Sequence, residues 1–177
     1  MSSADQAENQ ANAAANDQHK DQRSLRQALG CFATGVTVVT TRFEGQDYGM
    51  TCSSFNAVSL DPALVLWSLQ NNCGSREAYL EGGGYTVSVL SAKQSALAMH
   101  FARGSQEERF AEIEKQYAPS GRIIVKDCVA WFDCDLHQVV PAGDHDILLG
   151  NVQAYECAQG EGLIFERSRF GTLKTAA

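Results

Sequence analysis

Several of the commonest signatures of function are missing from this 177-residue chain. No G-x-G-x-x-G follows a strand-like run, which excludes a Rossmann dinucleotide fingerprint. There is no G-x-x-x-x-G-K-[ST] and no G-x-S-x-G, so a P-loop and a nucleophile elbow are excluded as well. The four histidines are scattered and no two cysteines form C-x-x-C, so no zinc site of familiar spacing is present and no metal is expected. No apolar run approaches the roughly 18 residues of a membrane span, and no membrane association is expected. Positive charge is scarce: 14 Lys and Arg stand against 21 Asp and Glu, a net charge of −7. An acidic surface repels a polyanion, which argues against nucleic-acid binding.

What is present is an ordinary globular balance, 44% hydrophobic and 20% charged. The length favours one domain, 23–177, behind a low-complexity leader, 1–22, expected to be disordered. That leader has no apolar core, so it is not a signal peptide. The six cysteines (Cys31, Cys52, Cys73, Cys128, Cys134 and Cys157) sit mostly in apolar stretches. They are expected as buried thiols of a reduced, cytoplasmic protein.

Leu25, Ala28, Leu29 and Phe32 recur at helical spacing, which predicts a helix over Arg23–Phe32 with one apolar face. Val36 to Thr41 is a β-branched run that suits a strand buried on both faces. A turn at 44–47 and a return strand over 48–53 make a hairpin. Residues 54–62 read as irregular. Leu64–Leu69 is another buried strand, and Ser75–Leu80 a short helix. Tyr85, Val87 and Val89 alternate with Thr86 and Ser88, the pattern of a half-buried strand. Ser91-x-x-Gln94 and Ser105-x-x-Glu108 read as capping boxes. The first helix is expected to bury Leu97 and Phe101, the second Phe110, Ile113 and Tyr117. Strands over about 128–140, 147–157, 163–165 and 170–173 complete the chain, with a turn at Pro141–Asp144. Seven or eight strands joined by hairpins, with three or four short helices, predict a mainly β, antiparallel barrel with helices outside.

Three segments could carry chemistry. Thr34-Gly35-Val36-Thr37 leads into a buried strand. Thr51-Cys52-Ser53-Ser54-Phe55-Asn56 is small and polar where a barrel wall prefers bulky fillers. Such a wall lets a flat ligand reach backbone N–H and C=O groups, although a polar turn with local hydroxyl bonds fits the same composition. Gly143-Asp144-His145-Asp146 is a turn carrying a side chain that titrates near neutrality. Asp146 there reads either as an exposed turn residue or as part of a site. Cys73 lies in a polar loop where only Arg76 could activate it, so it is not taken as a nucleophile.

Four segments together resemble a known family. They are Arg26-x-x-Leu29-Gly30-x-Phe32 running on through Thr34-Gly35-Val36-Thr37 to Thr41, Gly49 to Pro62, Val87-Ser88-Val89-Leu90-Ser91-x-x-Gln94, and Gly143-Asp144-His145 followed by Leu149-Gly150-Asn151-Val152. In this order they are similar to the flavin reductases of the FMN-binding split-barrel type, which include reductase components of two-component aromatic monooxygenases. The resemblance spans about Leu25 to Leu173. It implies a Greek-key split β-barrel acting as a cytoplasmic homodimer. It also implies FMN or FAD as the flavin, NADH or NADPH as reductant, and a separate flavin-dependent oxygenase reached by diffusing reduced flavin. Carried over by position, Thr34, Gly35, Val36, Thr37, Thr51, Cys52, Ser53, Ser54, Phe55 and Asn56 would line the flavin ring and its ribityl chain. Ser68, Gln70, Ser75 and Arg76 would lie near its phosphate, with Phe101, Ala102 and Arg103 flanking. His145 as catalytic residue, Asp144 and Phe170 would meet the nicotinamide. The chain departs from the family at Cys52, at Pro62-Ala63, and in the 71–75 loop, which lacks a Lys often seen there; Arg76 is left to supply that charge. Two rivals are a flavin- or haem-binding sensor or carrier without reductase activity, and a pyridoxamine phosphate oxidase relative. The second needs several basic residues that the candidate loops lack.

Overall fold

The structure is a computed structural model and describes residues 21–111 and 113–173. Most of the expected leader, residues 1–20, lies outside the described residues. The chain divides into two compact units, one made of residues up to Ala33 with Glu166–Arg169, the other of Thr34–Phe165 with Phe170 onward.

In the smaller unit, helix α1 covers 21–29. It ends three residues earlier than the spacing predicts, because Gly30 to Phe32 fold into turns bonded back to Arg26, Ala28 and Leu29. Its apolar face does not pack inward: Leu25, Leu29 and Phe32 are 58%, 64% and 76% exposed. Arg167 N–H donates to Gly30 O at 2.7 Å and ties the 166–169 turn to the helix.

The larger unit contains strands β1 (Thr34–Gly35), β2 (Thr37–Phe43), β3 (Gln46–Cys52), β4 (Asn56–Leu60), β5 (Ala63–Gln70) and β6 (Gly84–Val89). They are followed by β7 (Lys115–Tyr117), β8 (Ile123–Val125), β9 (Ala130–Ala142), β10 (His145–Cys157), β11 (Ile164–Glu166) and β12 (Arg169–Gly171). Helix α2 (Arg76–Glu81) precedes β6, and α3 (Ser95–Phe101) and α4 (Gln106–Ala111) follow it. Seven strands form one antiparallel sheet in the order β3-β2-β6-β9-β10-β5-β4. Its edge strands, β3 and β4, are joined by only residues 53–55. From Cys52 to Asn56 the chain can span at most about 14 Å. A flat sheet of seven strands would be roughly 29 Å wide. The sheet must therefore curl until its edges approach, and the expected barrel is present with its seam at 53–55.

Period-two alternation explains the two cores. In β2, Val39 enters the barrel with Trp67, Tyr85, Val87 and Leu148. Its neighbour Val38 faces outward, under Phe101, Phe110, Ile123 and Val125. Gly150 in β10 lets Tyr85 cross the barrel: a Cβ there would lie 2.4 Å from the Tyr85 hydroxyl.

Further sequence-based expectations need correction. The strand at β6 is buried on both faces rather than half-buried. Its hydroxyl face is covered by β8, with Thr86 donating to Ile123 O at 2.6 Å and Ser88 Oγ accepting from Val125 N–H at 3.1 Å. The irregular 54–62 stretch contains β4, and the region around 115–125 contains β7 and β8. Strands this short, or this exposed, carry no readable period. Ile113 and Tyr117 lie beyond α4, and Tyr117 is 59% exposed in β7. The Ser105 and Glu108 box does cap α4, with backbone bonds of 3.3 and 2.7 Å. The Ser91 and Gln94 pair instead closes the turn before α3.

Candidate functional site

Of the predicted flavin residues, the barrel seam brings Thr37 and Ser68 to the 51–56 segment. Residues 53–55 belong to no ladder, so their backbone is not committed to a neighbouring strand. Thr37 Oγ1 donates to Cys52 O at 3.0 Å and fixes where β3 ends. The Ser54 hydroxyl accepts from Ser68 N–H at 2.9 Å, spanning from the seam to β5. Ser53 and Asn56 point to solvent. Phe55 turns away, its ring 5.5 Å from Phe132 and packed on the barrel core. Thr51 Oγ1 donates to Ala98 O of α3 at 2.6 Å. Thr34 lies on β1, opposite Phe165 of β11; its Oγ1 is shielded from water and has no hydrogen-bond partner.

Strand pairing then carries the wall to β10. Ser68 stands opposite Ile147, and Gln70 opposite His145. Asn71 clamps the β9–β10 turn, its N–H donating to Asp144 O at 2.9 Å and its Nδ2 to Gly143 O at 3.1 Å. Gly143 sits at φ +67°, the left-handed conformation that favours glycine. His145 Nδ1 lies 2.8 Å from Asp144 Oδ1. The carboxylate selects the Nδ1–H tautomer of a neutral ring, which leaves Nε2 as an acceptor.

Arg76, expected near a phosphate, donates through Nε and Nη2 to Asp146 Oδ2 at 2.8 and 2.6 Å. Asp146 is therefore not an exposed turn residue: its side chain is 4% exposed. Ser75 precedes α2, but its hydroxyl does not cap the helix. It accepts instead from Gln106 Nε2 at 2.8 Å, while Gln106 Oε1 accepts from Gly49 N–H at 2.8 Å. Arg109 Nη1 donates to Gly49 O at 2.7 Å, and its Nε donates to Arg103 O at 3.0 Å.

Not every predicted residue reaches this wall with its side chain. Val36 and Phe101 are core residues, 2% and 0% exposed, and Phe101 packs edge-on against Phe110. Thr37 and Cys52 are buried as well. Gly35, Ala102 and Arg103 are exposed. Phe170 packs on Phe165 at 5.4 Å, and no ring contact or hydrogen bond joins it to His145 among the described residues. Sequence reasoning missed Asn71, Gln106 and Arg109; polar residues in a loop or a short helix carry no local mark of distant partners. Cys52 and Cys134 are buried as expected, whereas Cys31 and Cys157 are exposed. Burial pushes the Cys134 thiol up to about 12 and raises Cys128 and the Tyr79 phenol. Among the described residues no cluster of His, Cys, Asp or Glu could hold a metal, and no helix is long and apolar enough to cross a membrane.

Known proteins resemble this chain in sequence and fold. A probable flavin reductase of Rhizobium meliloti (strain 1021) is 40% identical over 157 residues, 88% of this chain and 50% of that protein. This chain thus spans about half the length of that relative. The NADH-dependent FMN reductase SmoA of Agrobacterium fabrum is 37% identical over 86% of each chain. The NADH:FAD oxidoreductase SgcE6 of Streptomyces globisporus, solved with NAD and FAD fragments, superposes with a TM-score of 0.84 at 34% identity, covering 89% of this chain and 96% of that one. The family model described as flavin reductase like domain matches residues 29–174, and the chain belongs to that family.

Proposed function

We propose that this chain is an NAD(P)H:flavin oxidoreductase, passing a hydride from NADH or NADPH to FMN or FAD and supplying reduced flavin to a separate flavin-dependent oxygenase. The observation that carries this reading is the barrel seam, a ladder-free, hydroxyl-lined segment within reach of the β5–β10 rim that bears His145. The residues present fit a flavin: Thr34 offers a sheltered hydroxyl with no other partner, and Ser53, Ser54 and Asn56 offer donors and acceptors to a ring edge that alternates both. The names of the relatives as FMN- and FAD-dependent NADH oxidoreductases support the same pairing.

When bound, the flavin supplies the hydride acceptor; the chain supplies position and exclusion of water. Residues 53–55 would hold the ring edge through backbone groups that no ladder uses. His145, steadied by Asp144, presents Nε2 to the nicotinamide carboxamide. Arg76 spends two donors on Asp146 and keeps Nη1 for the flavin phosphate. No side chain needs to move a proton in the hydride step, which agrees with a rim whose carboxylates, Asp144 and Asp146, are bonded to His145 and Arg76. The chain acts as a homodimer in the cytoplasm: α1 leaves Leu25, Leu29 and Phe32 open, and edge strand β4 leaves Val58 and Leu60 open, each an apolar surface a second copy would cover.

Steady-state oxidation of NADH and NADPH, each with FMN and FAD, tests the reading. Turnover that requires added flavin is expected. Flavin binding without nicotinamide oxidation in any of the four pairs would refute it and favour a carrier.

A further inference from the structure

Helix α1 is amphipathic in an unusual sense. Its apolar side, Leu25, Leu29 and Phe32, faces outward, while the opposite side lines a cavity of about 640 Å³ with the 166–169 turn. Three arginines, Arg23, Arg26 and Arg167, line that cavity together with Gln27, Cys31 and Ser168, and no Asp or Glu does among the described residues. Glu166 lies 3.8 Å from Arg167 Nε but is not part of the lining. Arg23 and Arg26 stand three residues apart and so share one helix face. The volume lies within the range of ordinary small-molecule sites.

The turn that delivers Arg167 is itself strained. Arg167 and Ser168 both hold left-handed backbone, at φ +47° and +63°. A two-residue hairpin of this kind prefers Asn-Gly, and a long side chain at the first position costs free energy that a relaxed sequence would save. The Arg167 N–H bond to Gly30 O holds that costly conformation against the helix. Like charges gathered around a concavity repel one another, and an anion bound there relieves that repulsion.

We propose that Arg23, Arg26 and Arg167 form an anion site for the diphosphate group of a nucleotide. Ser168 and Gln27 add neutral donors, and the guanidinium forks match phosphate oxygens in pairs. This inference does not depend on the reductase reading, because binding is measured without turnover.

The test is calorimetric titration of the full-length protein with inorganic diphosphate, inorganic phosphate, ADP, FMN and FAD, before any nicotinamide is added. Saturable diphosphate binding is expected, weakened about tenfold or more in Arg26→Ala and in Arg167→Ala. Ser168→Asp, which keeps a residue tolerant of left-handed backbone and adds a negative charge, should abolish it. ADP displacing diphosphate where FMN does not would identify a nucleotide diphosphate as the occupant. Equal binding of phosphate and diphosphate would refute the diphosphate assignment. Absence of saturable binding, or binding indifferent to all three substitutions in protein of unchanged melting temperature, would overturn the site itself.

Discussion

Arg76→Ala should destabilise the protein by about 2–4 kcal/mol, well beyond the loss of an ordinary surface ion pair. The reason lies on the aspartate side. Asp146 keeps only 4% of its side chain exposed, and both guanidinium donors fall on one of its oxygens. Removing Arg76 strands a carboxylate in the barrel rim. The upper end of the buried-pair range is not reached, because Arg76 is itself 39% exposed and water can follow it. Asp146→Asn leaves an amide for the arginine and should cost only about 1–2 kcal/mol. The double variant removes the stranded charge, so it should recover about 1–2 kcal/mol relative to Arg76→Ala alone. Urea midpoints at unchanged slope give these differences directly. If Arg76→Ala costs less than about 0.5 kcal/mol, or the double variant is no more stable than the single, the pair behaves as a surface contact and the reasoning fails. Kinetics separate a second role: if Nη1 also grips the flavin phosphate, the flavin KM rises in Arg76→Ala and stays put in Asp146→Asn.

His145→Ala should raise the nicotinamide KM or slow flavin reduction without changing the unfolding midpoint, and Asp144→Asn should show the same effect more weakly; unchanged NADH kinetics in His145→Ala would remove this residue from the site. Gly49→Ala should cost about 1–3 kcal/mol, since the new Cβ would lie 2.7 Å from the Phe101 ring and 2.8 Å from the Phe110 ring, both buried; a melting temperature equal to the parent's would show that α3 and α4 yield freely. Thiol labelling at pH 8 should modify Cys31 and Cys157 rapidly and spare Cys134 until the protein unfolds. A thiol pushed up to about 12 carries almost no reactive thiolate below pH 10. Fast labelling of Cys134 in the native state, read by peptide mass spectrometry, would contradict its burial.

How much of the fold could be read from the sequence depended on whether one strand's side chains decided its environment. In β2 the run Val36 to Thr41 is apolar enough on both faces to announce two cores, and two cores are found. In β6 the same double burial was hidden, because Thr86 and Ser88 look solvated until β8 arrives to take their hydroxyls. The α1 stripe misled in the opposite direction: its period is truly helical, but Leu25, Leu29 and Phe32 are exposed. Periodicity reports that a face is apolar, and topology decides what meets it.

The candidate site follows the same division. Composition alone left Thr51 to Asn56 as either a ligand wall or a polar turn, and the strand order then put residues 53–55 at the seam between β3 and β4. The tie between Asp146 and Arg76 was not legible, nor the one between Gln106 and Ser75, nor the clamp from Asn71 to Gly143. Their partners lie 70, 31 and 72 residues away in sequence, so no local pattern could pair them. Two of these contacts, Arg76 to Asp146 and Asn71 to Gly143, bind the 71–76 loop to the start of β10. A side chain at the first position of a strand, next to a two-residue turn, has few neighbours to fix it. His145 gains its fixed direction from Asp144 beside it and from the loop that clamps the turn below. If the site works as proposed, its orientation therefore resides in Asn71, Arg76 and Asp146, residues that need not touch the nicotinamide.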